Sequence, residues 1–546
     1  MQPTPITVAR KAAVFSVFNK DGIVPFAQAL GARGYEIWSS GGTHKVLVEA
    51  GIPARDVAEM VGKQILGDRV KTLSREVHAG LLAQMIENDL AELEQMGVPV
   101  IDVACLNFYP LEAEITRDGS TPESVLKQTD IGGPTMARSG AKGRRIVACD
   151  PKDYDTALQI LDLEEADNYE PAAKLRRYLA AKAESVVASY CLASARYTSG
   201  GEIEGMIGTR AIECVYGENA HQKPAGYFST GSDHPLALEK FALVAGTTPS
   251  FNNLGDLSRM METAISIAVT FEANNYSECA IAVAGKHRNP CGAAIGHNRL
   301  DVLRMMIAGD RDAILGGVVA VNFPIGHAEA EVLFTHLMPP EEGRKIDVLA
   351  APSFTADAVE LLRRKKDKLR FFQNPALVDL ARCRGMRFEQ VIGGFIGQPS
   401  VEFLFDVKHP GMVRIGRDLT RDETDAMILA YAILPTANSN TIVITNVADG
   451  VAYLVAGGFG QQSRVVAAKL AVMKARLAGH ALTGTVAAGD SFFPFSDGAL
   501  ALADEGIGVL FATSGSINDA AVQKDCADRG LTLWMLPDKV ARAFRH

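Results

Sequence analysis

The first 150 residues alternate between short apolar runs and stretches in which apolar residues recur at helical spacing, and this alternation limits the possible folds most strongly. The apolar residues from Ile23 to Leu30, for example, predict a helix between two strands. Because strands that alternate with helices form parallel sheets covered on both faces, we expect an α/β domain here. Ligands of such sheets bind beyond the carboxyl ends of the strands. The predicted strands are residues 12–18, 35–39, 98–108 and 146–149.

The rest of the chain divides into a helical connector and a second region of mixed strands and helices. Residues 158–163 and the alanine-rich residues 172–195 have helical patterns, and Pro171 is placed to open the second helix. No short repeat of the solenoid kind is present in the sequence. We therefore predict three segments, residues 1–150, 151–205 and 206–546.

The composition is that of a soluble globular protein, with 47% hydrophobic and 22% charged residues. The formal net charge of -9 argues against nucleic acid as a partner. No uninterrupted apolar segment reaches about 18 residues, and the N-terminus lacks the apolar stretch of a signal peptide, so we expect no membrane partner. The eight cysteines form no CxxC pair, which favours a reducing cytoplasm over disulfides or a thiolate metal site. We expect no metal.

The run Lys-His-Arg-Asn-Pro-Cys-Gly at residues 286–292 is the strongest candidate for chemistry. It follows the apolar residues 279–284, which predict a buried strand, and residues 289–292 predict a turn. A primary amine beside an imidazole at a strand end is suited to proton transfer. Lys286 and His287 are therefore candidate catalytic residues.

A second candidate site follows the predicted strand at residues 35–39. Residues 40–43, Ser-Gly-Gly-Thr, precede a predicted helix at 44–50. Glycines let the backbone approach a ligand closely, and free N–H groups at a helix start attract an anion. The segment indicates a phosphate site, although many glycine pairs form turns without a ligand.

Other polar groups follow in the first domain. Two cations and a hydroxyl lie within four residues, and a strand end, a glycine turn and a later helix add further polar side chains. These residues are Arg69, Lys71, Thr72, Asn107, Tyr109, Asp130 and Lys142.

Taken in order, these motifs resemble the bifunctional family that joins aminoimidazole carboxamide ribonucleotide (AICAR) transformylase to inosine monophosphate (IMP) cyclohydrolase. Residues 286–292 resemble the KHxNPCG signature of the transformylases. The resemblance covers nearly the whole chain. It implies an α/β fold with an N-terminal methylglyoxal-synthase-like parallel-sheet domain and a C-terminal transformylase region of two cytidine-deaminase-like α/β subdomains. Further matching segments are residues 216–222, 250–253, 316–317, 439–440, 460–464, 490–497 and 542–546.

The resemblance assigns ring closure to residues 1–150. In that reaction a carboxamide nitrogen attacks a formyl carbon, and fixed donors and cations stabilise the oxygen that gains charge. Lys142 and Tyr109 would transfer protons and polarise the formyl oxygen, and Asp130 would orient the carboxamide. Lys71 completes the implied catalytic set. The residues implied to bind the nucleotide are Ser16, Lys20, Ser40, Gly42, Thr43, Arg69, Thr72 and Asn107.

The resemblance assigns formyl transfer to residues 206–546. The attacking amine is conjugated with its ring, so a base must remove its proton as the bond forms. His287 would be that base, Lys286 would donate to the oxyanion and the leaving nitrogen, and Asn440 would hold the formyl oxygen or the carboxamide. The formyl donor would be N10-formyltetrahydrofolate, a co-substrate and not a tightly bound cofactor. The implied substrate contacts are Tyr216, Gly317, Arg464, Phe492, Phe495, Asp497 and Arg542.

The expected function is therefore formyl transfer to AICAR, giving formyl-AICAR (FAICAR), and closure of FAICAR to IMP with loss of water. The transformylase site of this family lies between two chains, so a homodimer is implied. Two alternatives stay open: only one activity is retained, or the chain binds purine nucleotides without turnover. The first alternative rests on departures from the family pattern at Phe18, Ser74, Arg75, Gly143 and Val215. The second rests on the resemblance of the first domain to a type that also occurs as a ligand-sensing regulatory module.

Overall fold

The computed structural model describes residues 10–62, 65–66, 69–339, 342–380 and 385–546. The chain forms two compact units, the first ending at Ile207 and the second comprising Gly208–His546. Among the described residues, no helix is both long and apolar enough to cross a membrane.

The first unit contains a five-stranded sheet in the order β3-β2-β1-β4-β5, and every pair of neighbouring strands is parallel. The predicted parallel sheet is thus confirmed, and all four predicted strands are present. The edge strand β3 was not predicted. The strands are β1 Lys11–Val17, β2 Glu36–Ser39, β3 Ala54–Asp56, β4 Val100–Asn107 and β5 Ile146–Ala148.

Helices cover both faces of this sheet. One face packs against apolar residues that include Phe26 of α1 and Ile160 of α9, and the other against residues that include Met136 of α8 and Val187 of α10. The longest helix begins two residues before Pro171, whose missing N–H is tolerated in a first turn. The helices are α1 Ile23–Ala32, α2 Gly41–Glu49, α3 Ala58–Val61, α4 Arg75–Leu82, α5 Glu87–Met96, α6 Leu111–Thr116, α7 Pro122–Lys127, α8 Gly132–Lys142, α9 Tyr154–Glu165 and α10 Tyr169–Thr198.

The second unit is built on a twelve-stranded sheet in the order β16-β21-β20-β19-β17-β18-β10-β9-β11-β12-β13-β8. Two antiparallel ribbons, β6 with β7 and β14 with β15, lie outside it. The strands are β6 Thr209–Cys214, β7 Ala225–Ser229, β8 Ala242–Ala245, β9 Ala280–Lys286, β10 Asn289–Gly296, β11 Val318–Val321, β12 Val348–Ala351, β13 Arg370–Gln373, β14 Met386–Val391, β15 Gly394–Pro399, β16 Val413–Ile415, β17 Ile442–Ala448, β18 Val451–Gly458, β19 Val486–Gly489, β20 Val509–Ser514 and β21 Thr532–Pro537.

The large sheet consists of two halves with the same arrangement. Each half has an antiparallel hairpin, then three parallel strands, then an antiparallel edge strand, and the two hairpins meet where Ala294 of β10 pairs with Tyr453 of β18. The expected second α/β region is therefore present, and it contains two α/β halves. The helices are α11 Phe251–Ala273, α12 Arg299–Gly309, α13 His327–Thr335, α14 Ala356–Leu362, α15 Arg421–Ile433, α16 Arg464–Leu477, α17 Asp497–Ala503, α18 Asp519–Asp528 and α19 Asp538–Ala541.

The turn predicted at residues 289–292 is wrong, because these residues begin strand β10. The chain reverses instead at His287 and Arg288, whose φ angles are 53° and 59°. Two consecutive positive φ angles match the twist of a two-residue hairpin. The register of β10 against β9 shifts between Pro290 and Gly292, an irregularity of the kind at which a strand tolerates a proline.

Candidate functional site

The carboxyl ends of β1, β2 and β4 lie at one edge of the first sheet, and the first set of candidate residues surrounds this edge. The side chain of Asn107 holds the loop after β1. Its Oδ1 accepts the backbone N–H groups of Phe18 at 2.5 Å and Asn19 at 2.8 Å, and its Nδ2 donates to the carbonyl of Asn19 at 3.0 Å. The hydroxyl of Thr43 donates to the carbonyl of Val17 at 3.1 Å and is buried. These two side chains shape the loops that a ligand would meet.

The start of α2 has the features of an anion site. Ser40 precedes the helix, and its side chain makes no capping hydrogen bond. The ammonium of Lys71 lies beside this helix start, since a Cβ added to Gly41 would be 3.8 Å from Lys71 Nζ. Free N–H groups and an adjacent cation favour a phosphate here.

Two other predicted nucleotide contacts, Ser16 and Lys20, lie on or near this edge. The Lys20 ammonium donates to the carbonyls of Val17 and Phe18, and burial lowers its pKa. Ser16 is half-buried in β1. Arg69 is exposed, and its Nε donates to the carbonyl of Leu66 at 2.7 Å.

Asp130 lies at the start of α8. Its Oδ1 accepts the N–H of Gly133 at 3.0 Å, and its own N–H donates to the hydroxyl oxygen of Tyr190 at 2.7 Å. Burial raises the pKa of Asp130, against the lowering effect of backbone N–H groups that include that of Tyr109. The hydroxyl of Thr72 reaches the same helix start, because a Cβ added to Gly132 would be 2.7 Å from it.

Tyr109 lies at this edge with a large part of its ring exposed. Phe18 packs edge-on against it, with ring centroids 6.0 Å apart and planes at 89°. Phe18 itself is 51% exposed, so it lies over the tyrosine and not in the interior. The departure at Phe18 thus concerns a residue in direct contact with a candidate catalytic group.

Lys142 is not brought to this cluster within the unit. It is the last residue of α8, so it lies roughly 15 Å along the helix axis from Gly132 at 1.5 Å per residue. It lines a separate cavity with Lys11 and Val100, the first residues of β1 and β4. That cavity is at the amino ends of the strands.

The second set of candidate residues lies at one edge of the twelve-stranded sheet. Strand β9 ends there at Lys286, opposite Asn289, and β17 begins there at Ile442, opposite Gly489 at the end of β19. The Lys286 ammonium donates to the carbonyl of Leu315 at 3.0 Å. The strand pairing therefore brings both halves of the unit to one place.

Gly317 lets the loop before β11 approach the end of β9. A Cβ added to it would be 2.8 Å from the carbonyl oxygen of Gly285, closer than real Cβ contacts. A Cβ added to Gly316, whose φ is +74°, would be 3.9 Å from Lys286 Nζ. A larger residue at 317 would displace the strand end that carries Lys286.

His287 is presented to solvent by a turn that other elements hold. The carboxylate of Asp256 in α11 accepts the N–H of Arg288 at 2.7 Å, and the Arg288 guanidinium lies 5.8 Å from the Phe251 ring centroid. Asn289 Oδ1 accepts the N–H of Asn438 at 3.0 Å. Burial raises the pKa of Asp256, and the backbone N–H groups of the turn oppose that rise.

Asn440 is oriented by a buried polar network. Its Nδ2 donates to the carbonyl of Gln461 at 2.9 Å, and its Oδ1 accepts Arg464 Nη2 at 2.9 Å. Arg464 Nη1 pairs with Asp490 Oδ1 at 2.5 Å, and Asp490 is completely buried. Asp490 Oδ2 accepts the Ser439 hydroxyl at 2.7 Å. An amide has two N–H donors, and within the described part of the chain one of those of Asn440 has no acceptor, so it can donate to a ligand.

Arg464 is predicted to contact substrate. Its side chain is 9% exposed and contacts Asn440 and Asp490. These contacts hold the amide of Asn440, and the substrate contact stays a prediction. The neighbouring residues Gln461 and Asp490 were not predicted as site residues, although both lie in segments that resemble the family.

The C-terminal residues reach the same edge. The N–H of Ser439 donates to the carbonyl of Arg545 at 2.8 Å, and the N–H of Ala543 donates to the carbonyl of Asp490 at 2.9 Å. Arg542 is half-exposed, pairs with Asp538 and lies 5.1 Å from the ring centroid of Phe544.

The remaining candidates are less closely connected to His287. Tyr216 accepts the N–H of Phe251 through its carbonyl at 3.1 Å. Phe492 follows β19 and is half-buried, whereas Phe495 is 67% exposed. Asp497 begins α17 and accepts the N–H of Gly498 at 2.8 Å. Among the residues that the structure describes, no hydrogen bond, ion pair or ring contact joins these side chains to the imidazole.

The described residues hold no group of three or more His, Cys, Asp or Glu side chains placed to bind a metal ion. The seven described cysteines are free thiols, and Cys383 lies outside the described residues.

Comparisons with known proteins match both units. Residues 142–474 match the family model described as AICARFT/IMPCHase bienzyme, and residues 22–135 match the MGS-like domain. Three curated relatives share the description "Bifunctional purine biosynthesis protein PurH". The relative from Sorangium cellulosum is 34% identical over 98% of this chain and 100% of its own length. Those from Nostoc sp. and Neisseria meningitidis are each 33% identical, over 96% and 98% of this chain and 98% and 99% of their own lengths.

Proposed function

From the premise that this chain belongs to the AICARFT/IMPCHase bienzyme family, we propose that its two units divide the family's two reactions between them. The chain is a purine-biosynthetic enzyme with AICAR formyltransferase and IMP cyclohydrolase activities. We assign formyl transfer to Gly208–His546 and ring closure to the unit that ends at Ile207.

The observation that carries the assignment of formyl transfer is the exposed imidazole of His287 beside Lys286, at the edge where Asn440 is also held. His287 accepts the proton of the AICAR amine as that nitrogen attacks the formyl carbon. The free amide N–H of Asn440 and the Lys286 ammonium donate to the tetrahedral oxyanion. The carbon–nitrogen bond to the folate then breaks, and Lys286 protonates the leaving nitrogen.

Lys286 retains capacity for this role. An ammonium has three donors, and among the described residues only Leu315 accepts from it. That contact also fixes the position of the amine. The co-substrate is N10-formyltetrahydrofolate, bound and released in each turnover.

In the first unit, the start of α2 with Lys71 binds the nucleotide phosphate, and Tyr109 and Asp130 act on the formyl carboxamide. Asp130 accepts a hydrogen bond from the carboxamide nitrogen and orients it for attack. Tyr109 donates to the formyl oxygen as it gains charge, and water then leaves. The assignment of Lys142 to this chemistry rests on the family resemblance alone.

We further propose that the enzyme is a homodimer. The ribbon of β14 and β15 exposes a group of apolar side chains, and contiguous exposed apolar surface of this kind marks an interaction site. Among them, Ile392 is fully exposed, and Phe395 and Ile396 are about half exposed.

We also propose that the enzyme is located in the cytoplasm. The described cysteines are free thiols, and thiols stay reduced in that compartment.

The test is to assay the two half-reactions separately in the full chain. His287→Ala should remove formyl transfer from N10-formyltetrahydrofolate to AICAR, while FAICAR supplied directly should still close to IMP. Loss of both reactions in a folded variant would contradict separate sites. The same assay separates the remaining alternatives, since a chain with one activity fails one half-reaction and a binding protein fails both.

A further inference from the structure

A cavity of about 850 Å³ opens at the amino ends of the first sheet, on the edge opposite Tyr109 and Asp130. Strands β1 and β4 contribute their first residues to its lining, and the ends of α4 and α8 contribute others. Cavities of this size accommodate small organic ligands. Its residues take no part in the ring closure described above, apart from Lys142, which is assigned there by resemblance only.

The lining of this cavity is strongly basic. Of the residues that the structure describes, five cationic side chains and one carboxylate, that of Asp102, line it. Asp102 pairs with Arg176 at 3.0 Å. Burial acts to raise the pKa of Asp102, but Arg176 lowers it overall, so the acid stays ionised and neutralises that arginine. The other cations are Lys11, Lys142, Arg144 and Arg145.

Arg145 is committed to the protein. Its Nε donates to the carbonyl of Leu81 at 2.9 Å, and its Nη2 donates to the carbonyl of Ala83. These bonds satisfy carbonyls at the end of α4 that would otherwise repel an anion.

Three cations are left without an anionic partner. Lys11, Lys142 and Arg144 are exposed, and within the part of the chain that the structure describes their side chains form no hydrogen bond or ion pair. The Lys11 ammonium lies 5.9 Å from the ring centroid of Tyr35, a contact that leaves its charge unneutralised. Three unpaired cations around one concave surface attract a multiply charged anion, because their charges add within a short range. A phosphate monoester carries the matching double charge.

The cavity also has an apolar side. Leu82 and Met85 lie on its wall and are 39% and 60% exposed. A flexible methionine beside a leucine can pack against the face of a flat ring. An inorganic ion would leave this surface and most of the volume empty.

We propose that this cavity is a binding site for a nucleoside 5′-phosphate, with the phosphate on Lys11, Lys142 and Arg144 and the base against Leu82 and Met85. The site is separate from the anion site at the start of α2, which lies at the other edge of the same sheet. Binding of a nucleotide at this cavity does not depend on either of the enzyme's two reactions.

The test uses the full chain and adenosine 5′-monophosphate (AMP), followed by isothermal titration calorimetry. The double variant Lys11→Gln with Arg144→Gln removes two exposed cations, so it should fold normally and keep both activities. The matched control is Lys45→Gln with Arg177→Gln, two exposed cations of the same unit that do not line the cavity. We expect one AMP-binding component to weaken by at least about tenfold in the first variant and to be unchanged in the control.

Hydrogen exchange locates that component. AMP should protect the backbone around residues 81–86 and 143–146 in the native chain, and this protection should disappear in the first variant. Raised ionic strength should weaken it. Equal AMP binding in both double variants, protection confined to residues 40–43 or 286–289, or no AMP binding would each overturn the proposal. Adenosine or inorganic phosphate binding as tightly as AMP would overturn it as well.

Discussion

Replacing Arg464 by lysine separates the two contacts that this side chain makes. Arg464 Nη1 pairs with buried Asp490 at 2.5 Å, and Nη2 donates to Asn440 Oδ1 at 2.9 Å. A lysine has one compact ammonium, so it can keep the buried ion pair but cannot bridge both partners. We expect the lysine to stay with Asp490, since an unpaired buried carboxylate is costly. Asn440 then loses the donor that fixes its amide.

The expected loss follows from one hydrogen bond to a charged group, worth about 1.5–3 kcal/mol. If the full amount appears in the transition state, kcat/KM for formyl transfer falls by roughly ten- to a hundredfold, at about 1.4 kcal/mol per factor of ten. Ring closure should be unchanged, because we assign it to the other unit.

The assay follows tetrahydrofolate release for formyl transfer and IMP formation from supplied FAICAR for ring closure. Arg476→Lys is a matched control on the same helix, since Arg476 is 65% exposed and its pair with Glu505 lies at the surface, where an ion pair contributes little. Native formyl transfer in Arg464→Lys, or an equal loss in Arg476→Lys, would refute the role given to Arg464. Equal loss of both reactions would do the same.

Three further variants test the remaining geometry. Because burial raises the pKa of Asp130, its carboxylate becomes protonated at a higher pH than that of an ordinary aspartate. The rate of ring closure should therefore fall as the pH is lowered through that range. Asp130→Asn should lower the rate and remove this pH dependence. Asp256→Ala removes the acceptor that holds the His287–Arg288 turn, so the rate of formyl transfer should drop while FAICAR closure persists. Asp256→Asn keeps an acceptor and should restore part of the transfer rate. Full formyl transfer in the alanine variant would contradict this role of Asp256. A Cβ on Gly143 would be 1.9 Å from the carbonyl oxygen of Leu81, so Gly143→Ala should lower the free energy of unfolding in urea by about 1–3 kcal/mol or more. The control Gly31→Ala, in open space within α1, should raise that free energy by about 0.5–1 kcal/mol. Equal stabilities of the two variants would count against the packing at Gly143.

The parallel sheet of the first unit was predictable because its central strands are short, buried apolar runs. Ala12 and Phe15 in β1 are completely buried, and Val103 in β4 is as well. Strand β3 escaped prediction because Ala54, Arg55 and Asp56 lie at the edge of the sheet and carry no apolar pattern. A strand can thus be predicted from the sequence when it is buried, because burial requires a run of apolar residues.

The turn beside Lys286 and His287 was placed wrongly for a different reason. Sequence rules assign turns to Asn, Pro and Gly, which follow His287 and Arg288 here. The two residues that adopt positive φ have no such preference, and a contact from Asp256, 32 positions earlier, helps hold them. A contact of that range is not visible in local sequence.

The candidate site was predictable as a set of segments but not as a network. The segments around Lys286, Asn440 and Asp490 were all recognised, and strand register brings them to one edge. The roles within the set depend on which side chain reaches which, as the distance from Arg464 to Asn440 shows. Lys142 is a second example. Helical periodicity predicts that residues near it form a helix, but it does not predict which edge of the sheet the C-terminal end of α8 reaches.

The most direct measurement compares native enzyme with His287→Ala in single-turnover formyl transfer, with FAICAR closure in the same preparation as the internal control. Removal of a general base should slow transfer by about 10²–10⁴-fold and leave closure at the native rate. Transfer at the native rate in the folded variant would contradict the central claim that the exposed imidazole at the β9–β10 turn activates the attacking amine.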